Sequence, residues 1–140
     1  MAQVEDLPRT RRLILDAGGI LALASGSGDA RAALVRARRE GYVVVIPTPV
    51  LAQVHRGGRD RARVDRVINA VDAVLPTSEA VARLAGELQA IAQTSDAVDA
   101  IVVAEALTCQ PAVILTSDPK DIHRLLGAAD TSRRILVIAV

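Results

Sequence analysis

The sequence predicts an α/β protein, a three-layer α/β/α domain whose sheet is mostly parallel and has about five strands. The first observation is that short, fully apolar runs recur along the chain, as is typical of strands buried on both faces. The second is that helical stretches separate these runs, which predicts right-handed crossovers and parallel pairing. Strands are expected at residues 13–16, 43–46, 71–75, 112–116 and 135–140.

Helix signals fill the intervals between the strands. Thr48 is expected to cap a helix that contains Val50, Leu51 and Val54, because it follows a proline at the end of an apolar run. The helix that carries Asp99 is interpreted as otherwise apolar, so it is expected to be buried on nearly all sides. The other helices are expected at residues 20–24, 30–40, 79–93, after Arg56 (with Val64 and Ile68 on the apolar face), and after Pro119 (with Ile122, Leu125 and Leu126).

Composition limits the class of protein. A chain of 140 residues is long enough for one domain, and with 51% hydrophobic residues but one aromatic residue, Tyr42, its core must be built from Ala, Val, Leu and Ile. Residues 1–12 are expected to be a flexible lead-in, and residues 13–140 a single domain. The single Cys109 excludes an internal disulfide, and the sequence has neither a signal core nor a membrane span, so a soluble, cytoplasmic protein is expected.

Acidic residues stand where the predicted strands end. Asp16 follows the first strand, Asp118 follows the strand at 112–116, and Asp121 comes one helical turn later. Asp96 and Asp99 are three residues apart at the start of a helix, so their side chains share one face. In open α/β sheets, sites form beyond the carboxyl ends of the strands. These acids are therefore expected to converge, although each helix-starting pair also fits plain N-terminal capping.

A cluster of carboxylates usually means a bound hard cation with oxygen ligands, because burying several charges together without compensation is costly. Other kinds of site fit less well. His55 and His123 lie in no metal-spacing motif and are interpreted as surface residues. Gly18-Gly19 is weak evidence for a phosphate loop, and the buried Cys109 is interpreted as an inert thiol.

A resemblance rests on four motifs taken in order. They are Leu15-Asp16-Ala17-Gly18, Pro47-Thr48-Pro49-Val50-Leu51-Ala52, Val98-Asp99-Ala100-Ile101-Val102-Val103-Ala104 and Leu115-Thr116-Ser117-Asp118. The series resembles the PIN-domain ribonucleases, and among these the VapC toxins of toxin-antitoxin pairs. The resemblance implies a PIN-like fold in which Asp16, Asp99 and Asp118 are catalytic and hold Mg²⁺ or Mn²⁺. It also implies support from Thr116, with Asp96 or Asp121 able to supply a fourth acid.

One position departs from the family pattern. The family usually has a glutamate on the helix after the second strand, and the matching residue here is Gln53. Glutamine can offer a carbonyl oxygen to a metal but contributes no charge. Shortly after Gln53 in the sequence, four arginines are candidate RNA contacts: Arg56, Arg59, Arg61 and Arg63. The alternative interpretation is that they form a solvated helix face.

The resemblance therefore implies a metal-dependent endoribonuclease that is the toxin of a toxin-antitoxin pair. Its implied partners are RNA, a cognate antitoxin and a second copy in a homodimer, with no membrane. Gln53 motivates one alternative, a non-catalytic PIN-fold module that binds RNA or protein. A phosphotransferase of the haloacid-dehalogenase type is a further alternative, but Gly18 stands where that family has its second aspartate, so the general acid is missing.

Overall fold

The structure of the chain, a computed structural model, describes residues 11–109, 111–129 and 134–140. Residues 1–10 of the predicted lead-in lie outside the described residues. Strands and helices alternate as the sequence predicted. In chain order they are β1 (Arg12–Leu15), α1 (Ala17–Ala24), α2 (Gly28–Arg39), β2 (Val43–Pro47), α3 (Thr48–Val54), α4 (Arg61–Ala70), β3 (Ala73–Leu75), α5 (Glu79–Ala92), α6 (Ala97–Thr108), β4 (Ala112–Thr116), α7 (Pro119–Gly127) and β5 (Ile135–Ala139).

All five strands pair in parallel, in the order β3-β2-β1-β4-β5. The three-layer α/β/α fold predicted from the sequence is therefore confirmed. Helices α1, α2 and α4 pack together, α5, α6 and α7 form a second group, and α3 contacts both α1 and α6. The central strands β1 and β4 are almost wholly buried, as expected for runs of Leu, Ile and Val with helices on both sides.

Several boundaries differ from the prediction, each for a local reason. β1 begins at Arg12, one residue earlier than predicted, and ends at Leu15 because Asp16 caps α1. β3 begins at Ala73 instead of residue 71, since Val71 ends α4. The predicted cap at Thr48 is wrong. Pro47 occupies the cap position of α3, Thr48 is the first helical residue, and no side chain caps this helix.

The prediction that the Asp99 helix is otherwise apolar is also wrong. Glu105 lies in the middle of α6 and is buried, 3.9 Å from the guanidinium of Arg12 at the start of β1. Burial raises the pKa of Glu105, and the charge of Arg12 partly offsets that rise. This ion pair lies at the amino end of β1, whereas Asp16 lies at its carboxyl end.

Two smaller expectations can be checked on the same elements. Burial raises the pKa of the Cys109 thiol to about 11, so the thiol is protonated near neutral pH, as expected of an inert cysteine. Within the described ranges, no helix combines the length and the apolar character that crossing a bilayer requires.

Candidate active site

Asp16 is the acid at the centre of the carboxyl edge of the sheet. It follows β1, and its Oδ1 accepts a hydrogen bond of 2.8 Å from the Gly19 amide, so it caps α1. Only 6% of the residue is exposed. Burial raises the pKa of Asp16 despite hydrogen bonds from the Thr116 hydroxyl and from the amides of Gly19 and Gly18, and the charge of Asp118 adds to the rise.

Thr116 links the ends of the two central strands. It is the last residue of β4 and is fully buried. Its Oγ1 accepts a 2.9 Å hydrogen bond from the Asp118 amide, and the hydroxyl also bonds the carboxylate of Asp16. A hydroxyl can donate one hydrogen bond and accept others, so both contacts are satisfied at once. Thr116 therefore contacts both acids, and its supporting role in the site stays a prediction.

Two glycines allow α1 to approach the end of β4. A Cβ on Gly18 would lie 1.9 Å from Oγ of Ser117, and one on Gly19 would lie 2.4 Å from the carbonyl oxygen of Leu115. The Asp16 amide donates to that same carbonyl at 3.3 Å. No larger residue fits at either position without movement of the backbone. We call this contact the glycine seam; it holds the end of β1 against the end of β4.

The sequence was interpreted too narrowly at the glycine seam, where Gly18-Gly19 was weighed only as a phosphate loop. A usable signal was present, because two adjacent glycines in the first turn of a helix lower its stability. Such a pair indicates that something packs closely against that turn.

The second pair of acids lies at the start of α6. Asp96 caps this helix, since its Oδ1 accepts a hydrogen bond of 2.9 Å from the Asp99 amide. Asp99 is half-buried in the first turn. Its pKa is raised to about 7, chiefly by burial and then by repulsion from Asp96, Asp16, Asp121 and Asp118 in decreasing order. The structure therefore brings Asp99 within electrostatic range of every other acid singled out in the sequence.

The remaining acids belong to α7. Asp118 caps this helix, and its Oδ1 accepts a hydrogen bond of 3.5 Å from the Asp121 amide. Asp118 is exposed and Asp121 is half-buried. The interpretation of Asp96 and Asp118 as helix caps is confirmed for α6 and α7. Capping does not prevent these acids from also forming a cluster. The helix starts that need capping converge at one edge of the sheet, so the capping acids converge with them.

The charge of this cluster suits a divalent cation. In the described part of the chain, none of these five aspartates forms a salt bridge with an arginine, lysine or histidine. Among those same residues, no three His, Cys, Asp or Glu side chains form a ready-made metal cage. Mg²⁺ does not require one, because it keeps several waters and binds through one or two carboxylates. The donor set therefore fits Mg²⁺ better than a cation that needs a complete protein cage.

Gln53 lies on α3, which packs against α1 and α6, the two helices that begin at Asp16 and Asp96. Of the three residues expected on the buried side of α3, Val50 and Val54 are buried and Leu51 is half-buried, as is Gln53. A direct contact between Gln53 and a metal stays a prediction.

The candidate RNA-binding arginines are on the surface. Arg56 and Arg59 lie in the loop between α3 and α4, and Arg61 and Arg63 lie in the first turn of α4. All four are exposed. Arg61 is 3.6 Å from Asp65, one turn along the helix, which fits the solvated-face interpretation for that residue.

Comparisons with known proteins bear on the fold. No family model matches the sequence, and no curated protein is similar to it at a significant level. Two solved structures resemble the chain in three dimensions. "VapBC2 from Rickettsia felis bound to a DNA fragment from their promoter" has a TM-score of 0.68 at 12% identity, covering 91% of this chain and 98% of that one.

The second structure is "FitAB bound to IR36 DNA fragment", with a TM-score of 0.62 at 16% identity, covering 91% of this chain and 94% of that one. At these identities the likeness shows a shared fold. It extends over nearly the whole chain and agrees with the PIN-like architecture.

Proposed function

We propose that this protein is a metal-dependent endoribonuclease of the VapC type and acts as the toxin of a toxin-antitoxin pair. The observation that carries the proposal is the convergence of Asp16, Asp99 and Asp118, from three separate parts of the chain, on the carboxyl edge of a PIN-like sheet. Chain fold alone does not define chemistry, so the acids carry more weight than the likeness to known structures.

Each residue has a separate role in the proposed mechanism. Asp16, Asp99 and Asp118 would hold Mg²⁺ or Mn²⁺, with Asp96 and Gln53 as further oxygen donors. When bound, the cation supplies a water of lowered pKa and neutralises charge that develops on the phosphate. Thr116 fixes the carboxylate of Asp16 and the backbone of Asp118, so it is a positioning residue. Asp121 keeps the site acidic from the first turn of α7.

The substrate is proposed to be RNA held through its phosphates. Arg56, Arg59, Arg61 and Arg63 form an exposed basic segment directly after the helix that carries Gln53. Arginine guanidinium groups match phosphate oxygens with two parallel hydrogen bonds. Their exposure leaves them accessible to a polyanion, although Arg61 also contacts Asp65.

A cognate antitoxin is proposed as the regulatory partner, which would insert a segment, with an arginine, near the acids. VapBC2 and FitAB, the two proteins of similar structure, are both seen bound to a DNA fragment. If the protein expresses freely alone and no small neighbouring gene product co-purifies with it, the toxin assignment is weakened and the nuclease assignment stands. The homodimer and the cytoplasmic location stay predictions.

The function is tested by incubating purified protein with single-stranded RNA. We expect cleavage with Mn²⁺ or Mg²⁺ and none with EDTA. A non-catalytic PIN-fold module is the second candidate, favoured by Gln53, which contributes no charge to the site. A protein that binds RNA but neither binds Mn²⁺ nor cuts any RNA would support that module instead.

Gln53 allows a direct test of the metal shell. The affinity of oxygen-ligand sites depends on the charge of the ligands. We therefore expect Gln53→Glu to tighten Mn²⁺ binding roughly fivefold to tenfold and to lower the metal concentration needed for cleavage. Gln53→Ala should change either only modestly. Calorimetric titration of Mn²⁺ into the three proteins measures this. Equal affinities for wild type and Gln53→Glu would place Gln53 outside the metal shell.

A further inference from the structure

A pocket of about 430 Å³ opens between α3 and α4. For comparison, a cavity of about 150 Å³ accommodates benzene. Three of its lining residues are apolar and three carry hydrogen-bonding side chains. They are Leu51, Ala52 and Ile68, and His55, Asp65 and Asn69.

The polar groups of this pocket are tied together. His55 ends α3, and its Nδ1 is 3.4 Å from Oδ1 of Asp65. Oδ2 of Asp65 is 3.6 Å from Nε of Arg61. The imidazole is 56% exposed although it is held by this contact. The pocket therefore presents an accessible aromatic ring at a fixed place, with a carboxylate and the amide of Asn69 beside it.

These features suit one planar heterocycle. Unpaired RNA bases are bound by stacking on aromatic side chains, including histidine, and by hydrogen bonds to their edges. Leu51 and Ile68 supply apolar contact for a ring face, and Asn69 can both donate and accept. A pocket for a wholly apolar ligand would not need three converging polar groups.

The charge around the pocket indicates that the heterocycle belongs to a polyanion. Between residues 55 and 66 the chain has five arginines and two aspartates. One of those aspartates, Asp65, already contacts His55 and Arg61. Arg61 contacts Asp65 of the pocket, and Arg56 and Arg59 lie in the loop that follows α3, so positive charge lies next to the pocket. Arg63 and Arg66 line other clefts. Positive charge at this place suits a phosphate next to a bound base.

We propose that this pocket binds one unpaired base of the RNA substrate and prefers adenine, cytosine or guanine to uracil. The preference follows from Asp65, because an ionised carboxylate can only accept hydrogen bonds. The other three bases carry an amino group on their pairing edge, whereas uracil offers only its N3–H there, between two carbonyl oxygens that a carboxylate repels. The inference rests on the proposed RNA substrate, but it concerns binding and requires no cleavage.

The test measures binding of labelled single-stranded 12-mer RNA by fluorescence anisotropy in EDTA, where cleavage is absent. A single abasic site is moved along the oligonucleotide. Stacking of one base on an aromatic side chain contributes about 1–3 kcal/mol, so one abasic position should weaken binding to the wild type about tenfold. In His55→Ala the same abasic position should weaken binding clearly less, because the stacking contribution is gone and only the contacts to the base edge remain. His123→Ala is the matched control, since His123 is the other histidine and is exposed on α7.

A second measurement tests the hydrogen bonds to the edge of the base by comparing the affinities of different homopolymers. Homopolymers of A, C and G should bind the wild type more tightly than oligo-U, and Asn69→Ala or Asp65→Asn should reduce this difference. If the abasic site lowers affinity equally in wild type and in His55→Ala, the proposed base-binding pocket is wrong but RNA binding is unaffected.

If the wild type binds no RNA in EDTA, the pocket and the proposed substrate are both wrong. Binding of an acidic peptide instead of RNA would assign the pocket to a protein partner.

Discussion

Asp99→Asn is expected to abolish RNA cleavage while the melting temperature stays equal or rises. The carboxylate is half-buried, and four other aspartates repel it. Its removal therefore relieves repulsion in the metal-free protein, while the loss of a metal ligand should reduce the cleavage rate at least about a hundredfold. Cleavage assays with Mn²⁺ and thermal melts in EDTA measure the two effects separately.

The stability effect has a defined pH dependence. The folded protein holds a proton on Asp99 with a pKa of about 7, compared with an ordinary value of 3.8. Between these values the folded state binds more protons than the unfolded state, so stability falls as pH rises from about 4 to 7 and is level above that. The melting temperature of Asp99→Asn relative to wild type should therefore increase across this window, corresponding to about 1–3 kcal/mol at its top.

Asp29→Asn is the matched control, because Asp29 also lies in the first turn of a helix, α2, but is exposed and away from the cluster. It should show no such pH-dependent gain. If Asp99→Asn and Asp118→Asn are both clearly less stable than wild type in EDTA, capping is the dominant role of these acids and the charge-repulsion account is wrong.

Gly18→Ala is expected to damage the site through the glycine seam. The new methyl group would lie 1.9 Å from Oγ, 2.6 Å from Cβ and 2.7 Å from the backbone nitrogen of Ser117. Relieving this overlap must move α1 away from β4, at a cost of about 1–3 kcal/mol. Asp16 starts α1 and moves with it, so cleavage should fall about a hundredfold, as expected for a displacement near 1 Å.

Gly86→Ala is the control for glycine replacement. Gly86 lies within α5, and nothing lies within 4 Å of a Cβ built on it, so this change should stabilise the protein by about 0.5–1 kcal/mol. Ser117→Gly should partly restore the activity of Gly18→Ala, because it removes the two side-chain atoms of the clash but not the backbone nitrogen. Full activity in Gly18→Ala alone would show that the seam does not set the position of Asp16.

The pattern of apolar residues was sufficient to predict the fold. Each central strand is a continuous apolar run, as is typical of a sheet with helices packed on both faces. The acids were also accessible to prediction, since Asp16 and Asp118 follow such strands directly. The interaction of Arg12 with Glu105 was not, because the two residues are far apart in sequence and neither belongs to a recognisable motif. The pocket at His55 was missed for the same reason: its walls come from two helices.

The contacts at both ends of β1 limit which insertions and deletions this strand can tolerate. Arg12 at one end contacts Glu105, Asp16 just beyond the other end binds Thr116 and the first turn of α1, and the residues between them are fully buried. A shift of one residue would reverse the faces of the strand and draw a charged side chain into the apolar layer. The length of the central strand is therefore fixed by the charged residues at its two ends. A chain with one residue more or fewer in β1 could keep either the ion pair or the acidic site in place, but not both.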